Sequence, residues 1–176
     1  MPSPVKATRA LAVSAVLSAL GVVLLALGSL VEVLSLTVAV LASICVIFTV
    51  IELGGKYPYL VFAVTATLGM LLAPAKSAPL AYLCFLGWYP VLKAVLERHL
   101  PRLWCWVVKI LIFNVGLAVL LVITLKVLTL YTVPHPWYYA FLPLFTPVFV
   151  LYDVALTRLI SLYLRKWHDR FSFLHK

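Results

Sequence analysis

Acidic residues are scarce in this chain. Five Asp and Glu stand against fourteen Lys and Arg in 176 residues, for a formal net charge of +9. Charged residues of both signs make up only 11% of the sequence, too few to cover the surface of a water-soluble body of this size. The apolar fraction of 65% and the mean hydropathy of +1.15 therefore require a bilayer to solvate most of the exterior. Cysteine is also sparse. Cys45, Cys84 and Cys105 lie in or beside apolar runs, with no CxxC or Cys/His spacing. A disulfide framework has no support, and the three read as small hydrophobes.

Catalytic signatures are missing as well. There is no HExxH, no GxSxG, no Walker motif, no Ser/His pair at matched depth and no pair of carboxylates on one helix face. The expectation is a chain that is not an enzyme, holds no metal or cofactor and does not hydrolyse ATP itself. No filter sequence or regular polar stripe marks a pore. The basic excess comes without a basic helix or an aromatic-basic motif, so no nucleic-acid partner is expected. It fits instead an anionic inner leaflet, where each juxtamembrane Lys or Arg contributes about 1 kcal/mol.

What the chain does have is six long apolar runs, covering about 10–30, 34–53, 58–72, 79–96, 103–131 and 138–164. Each is near the ~20 residues that cross a ~30 Å hydrocarbon core. The third is the shortest, and the fifth is long enough to tilt or protrude. An open sheet would leave backbone groups unpaired in lipid, and the ten-residue alternation of a barrel is absent. The expected fold is all-α: one integral membrane bundle of six transmembrane helices in a single domain over 1–176, with room for no second domain of similar size. The first run, preceded by Lys6 and Arg9, resembles a signal peptide, but it continues to about Val31 and is expected to be retained as a span.

The cations sort by connection. Lys6 and Arg9, Lys56, Arg98 and Arg102, and Arg165, Lys166, Arg170 and Lys176 share one side of a six-span chain. The other side has Lys76 as its clear loop cation. The positive-inside rule then makes both termini cytoplasmic, and the expected location is a bacterial cytoplasmic membrane. Tyr131, Trp137, Tyr138 and Tyr139 cluster at the outer interface; Trp104, Trp106 and Trp167 mark the inner one.

This orientation assigns depth to the polar residues. Glu52, Lys93, Glu97, Lys109, Asp153 and Arg158 fall in the cytoplasmic third. Charge at depth costs about 2.5–3.5 kcal/mol on insertion scales, so a network is expected. Lys93 and Glu97 are one helical turn apart, and Asp153, the deepest, calls for Lys93 or Lys109 as partner. Such a network serves either structural pairing or coupling to a cytoplasmic partner. On the outer side, Glu32, Lys126, Tyr131, His135, Trp137, Tyr138 and Tyr139 form a candidate ligand site with aromatic walls and polar anchors. Pro143 and Pro147 are expected to bend or open the sixth helix, and Pro90, after Gly87-Trp88-Tyr89, to bend the fourth.

The first helix carries Ala15 and Ala19 one turn apart, with Ser14 and Ser18 as a second small pair beside them. Small residues at this spacing admit another backbone, either from within the bundle or from a separate membrane partner. Six short helices, inward termini and the Ala-x-x-x-Ala of Ala15 and Ala19 resemble the substrate-binding S components of energy-coupling factor transporters. The stretch from Gly87 to Arg98 also resembles bacterial membrane proteins of similar length. The first resemblance implies docking of a transmembrane coupling subunit on Ala15 and Ala19, binding of a small vitamin-like solute from outside, and uptake driven by partner ATPases. No vitamin-specific motif is matched. The other expectations kept open are a non-transport membrane scaffold or assembly protein and, third, a small intramembrane enzyme built on Asp153 or Glu97.

Overall fold

The computed structural model describes residues 4–31, 34–126 and 137–166. Among them every regular element is helical: α1 (Pro4–Gly28), α2 (Ser35–Glu52), α3 (Tyr57–Leu72), α4 (Ser77–Ala81), a π-helical turn (Tyr82–Leu86), α5 (Tyr89–His99), α6 (Arg102–Lys126) and α7 (Trp137–Lys166). Five stretches are long and apolar enough to cross a membrane: Ala7–Gly28, Ser35–Glu52, Ser77–His99, Leu103–Ile123 and Phe145–Arg165. The chain is a multi-pass membrane protein of the all-helical class. α3 is apolar too, but its 16 residues reach about 24 Å at ~1.5 Å per residue, short of the ~30 Å core.

The helices form two compact units, Met1–Val95 and Leu96–His168. In the first, α1, α2, α3 and the Ser77–Leu86 segment enclose a core of Leu25, Ala39, Ala42, Val46, Val61, Ala66, Ala78 and Tyr82. Close approach depends on small residues, because apolar burial does not separate a helix from lipid. A Cβ on Gly28 would stand 2.5 Å from Val38 Cβ on α2, and one on Gly21 would stand 2.9 Å from Thr65 Cγ2 on α3. Gly54 and Gly55 make the turn after α2 with φ of +59° and +56°, the left-handed region that side chains disfavour. Lys76 closes the other end of α3, donating to the carbonyls of Met70 and Ala73 at 2.7 Å each. The lone cation of that loop is thus occupied with the negative end of a helix.

The fourth apolar run is not one regular helix. Gly87 N–H donates to Tyr82 O at 2.8 Å, a five-residue reach, and Trp88 Nε1 donates to Cys84 O at 3.1 Å. α5 then starts at Tyr89, so Pro90 sits in its first turn, where its missing N–H costs least. The irregularity expected at Pro90 therefore lies in the turn before it. α7, in contrast, runs unbroken past Pro143 and Pro147.

The second unit contains the end of α5 with α6 and α7. Phe113 and Phe149 stack between α6 and α7, with centroids 4.5 Å apart and planes 11° apart. Only 11% of the Leu103–Ile123 stretch is buried, against 56% of Ser77–His99. Lipid or another protein must cover what is left.

Candidate functional site

Charges inside apolar helices need partners, and the second unit supplies a set. Lys109 lies two turns into α6. Its ammonium donates to Glu97 Oε1 at 2.6 Å and to the Asp153 carboxylate at 3.2 and 3.3 Å. The Lys109 and Asp153 side chains are 3% and 2% exposed, whereas Glu97 is 45% exposed. Lys109 thus joins a buried carboxylate on α7 to a half-exposed one near the end of α5. Trp106, three residues before Lys109 on α6, places its ring centroid 5.5 Å from the ammonium, adding a cation–π contact.

α7 is arranged around this contact. Thr157 Oγ1 donates to the Asp153 backbone carbonyl at 2.8 Å, which ties the threonine hydroxyl to its own helix. Leu100, buried Cys105, Trp106 and Thr157 complete, with the three charged residues, a cleft of about 340 Å³. Among the described residues no three His, Cys, Asp or Glu side chains gather as a metal site requires. The arrangement can hold charge at depth, orient a polar group entering from the Glu97 side, or transmit a displacement of Glu97 to Asp153.

Of the six charges assigned to the inner third, the structure thus brings together Glu97, Lys109 and Asp153. Lys109, one of the two lysines expected to pair with Asp153, reaches it at the distances given above. Arg158 is exposed on α7. Glu52 and Lys93 are buried in the first unit.

The small-residue face of α1 divides. Ser14 and Ser18 are buried. Their hydroxyls donate to Ala10 O and Ser14 O at 2.8 Å, and Thr65 Oγ1 of α3 donates to Ser18 O at 3.4 Å. Both serines are buried within the first unit, Ser18 at the contact with α3, so they are not open to a separate partner. Ala15 and Ala19 are exposed.

The outer ligand set falls elsewhere. Glu32, Tyr131 and His135 lie outside the described residues, and for Lys126, Trp137, Tyr138 and Tyr139 the description covers the helical backbone of α6 and α7 but not the side chains. One polar residue that charge-based reading overlooks is Asn114, in the middle of the Leu103–Ile123 stretch; its Nδ2 donates to Ile110 O at 2.9 Å. A lone uncharged amide barely alters the hydropathy of a run that length, so neither charge nor hydropathy marks it. Comparison with family models, curated proteins and solved structures finds no match for the chain.

Proposed function

We propose that this chain is a non-enzymatic membrane subunit that binds a small vitamin-like solute and works with a separate ATP-driven coupling module. In this reading it lies in a bacterial cytoplasmic membrane with both termini inside. One observation carries it: the small residues of α1 are split between two uses. Ser14 and Ser18 are spent inside the first unit, while Ala15 and Ala19 remain exposed on a membrane-spanning helix. A pair of alanines one turn apart admits a second helix at short range, which is what docking on a coupling subunit requires. The chain carries no Walker motif, so energy comes from the partner.

A non-transport scaffold rests on the same exposed pair and differs in needing no solute. Purification in mild detergent followed by native mass spectrometry separates the two. The transport reading expects a bound small molecule, a complex that includes an ATPase, and loss of that complex in the Ala15→Leu/Ala19→Leu double variant with solute retained. A stable complex without any solute across growth conditions favours the scaffold. Assembly that survives the double variant removes the docking face and the reading with it.

A further inference from the structure

The α6 face around Asn114 has chemistry that the proposed uptake role does not use. Val107, Leu111, Val115 and Ala118 line, with Asn114, an apolar groove of about 600 Å³ along this one helix. The three larger residues are more than half exposed. Asn114 is the residue of that wall with a hydrogen-bonding side chain, and it sits at the centre of the span, where water is absent. One of its N–H groups bonds Ile110 O. Its carbonyl oxygen makes no hydrogen bond among the described residues. Lipid tails offer neither donor nor acceptor, so a lipid-covered Asn114 would leave that oxygen unsatisfied in hydrocarbon.

We propose that this face is the contact between two copies of the chain, packed α6 against α6 through Asn114. The amide carries both donor and acceptor, so it is complementary to its own copy across a twofold axis, where the Nδ2 of each chain donates to the Oδ1 of the other. Rotation about the side-chain bonds exchanges the bond to Ile110 O for the bond to the facing amide. The surroundings suit such a pairing. Val107 and Asn114 are seven residues apart, the repeat of a helix–helix seam, and one Asn at such a position sets register and the number of helices. Ala118, one turn further, lets the backbones approach. Among the described residues no side-chain amide stands on the Ala15/Ala19 face of α1, so the two surfaces make separate contacts and fail separately.

The test uses the full chain with Cys45, Cys84 and Cys105 replaced by alanine, reconstituted in phosphatidylcholine/phosphatidylglycerol vesicles. Energy transfer between labelled copies should report a dimer. Asn114→Val should weaken it about threefold to tenfold, the range of interhelical amide bonds in membranes, and Asn114→Gln, which keeps the amide, should restore most of it. Oxidation should cross-link the Leu111→Cys variant to itself. It should cross-link Val119→Cys, exposed on α6 outside the groove lining and about 140° round the helix from Asn114, much more weakly. The proposal is overturned by a chain that stays monomeric at every protein-to-lipid ratio, which leaves the groove to lipid or to a different protein. A dimer indifferent to Asn114→Val, or cross-linking as strong at 119 as at 111, overturns it too.

Discussion

Lys109 Nζ lies 3.2 Å from Asp153 Oδ2, with both side chains buried and a sequence separation of 44. Neither charge is tolerable there alone. Desolvating two ions costs several kcal/mol each, and the pair survives because attraction and hydrogen bonds offset that cost. Removing Lys109 takes a buried ion-pair partner from Asp153 and the ammonium from Glu97.

Lys109→Met is therefore expected to destabilise the second unit by about 3–5 kcal/mol, the range for breaking a buried pair. Lys109→Met combined with Asp153→Leu should recover part of that loss, since it removes the buried carboxylate together with the ammonium. Thermal unfolding in detergent measures both. Losses that simply add would mean that Asp153 is held by something other than Lys109.

Glu97 is the weaker member despite its shorter contact. Its side chain is 45% exposed, so solvent screens the interaction, and Glu97→Gln should cost no more than about 1 kcal/mol. A loss matching that of Lys109→Met would show that Glu97, not Asp153, anchors the ammonium.

Steric and backbone roles of glycine can be told apart in the first unit. Gly28→Ala forces a Cβ against Val38, and overpacking of this kind costs about 1–3 kcal/mol. Adding Val38→Ala should relieve it. Gly54→Ala meets no atom within 4 Å, but its left-handed φ costs a side chain about 1–2 kcal/mol, and no second-site change on a neighbouring helix should repair it. Melting temperatures of the three variants decide; failure of Val38→Ala to rescue would remove the close α1–α2 approach.

The two small pairs of α1 should respond in opposite ways. Ser14→Leu with Ser18→Leu places bulk in the seam against α3 and should lower stability by about 1–3 kcal/mol per site. Ala15→Leu with Ala19→Leu adds apolar surface on the exposed side and should change stability by less than about 0.5 kcal/mol. Equal destabilisation by both pairs would mean that α1 is enclosed all round.

Topology gives a further expectation. The proposed orientation, with both termini inside, expects a green fluorescent protein fused after Lys176 to fluoresce and an alkaline phosphatase fused there to be inactive. The reverse pattern would invert the depth assigned to every polar residue.

Much of the fold is legible from composition because lipid leaves the backbone few choices. Helices are required, and the breaks at Gly54-Gly55 and Pro74 through Ser77 appear where the apolar runs end. The candidate site is legible only in part. Depth brings Glu97, Lys109 and Asp153 into one layer, but Lys93 and Lys109 are equal as partners for Asp153 until helices are placed. Asn114 disappears in the hydropathy of its run. The irregular turn before Pro90 is hidden for a related reason: a proline shows that a helix is disturbed, and packing decides where, here through the five-residue bond from Gly87 to Tyr82.

Sequence alone determined that this chain is an all-helical membrane protein and where its apolar runs begin and end. Tertiary structure decided which side of α1 faces inward, that Lys109 meets Asp153 and which helix faces remain exposed. The reason lies in the solvent. In water, polar residues mark the outer face of a helix; in lipid both faces are apolar. The choice between Ser14 and Ala15, neighbours of nearly equal size, then rests on contacts with Thr65 and the rest of α3 that lie some fifty residues away in sequence and that no local pattern encodes.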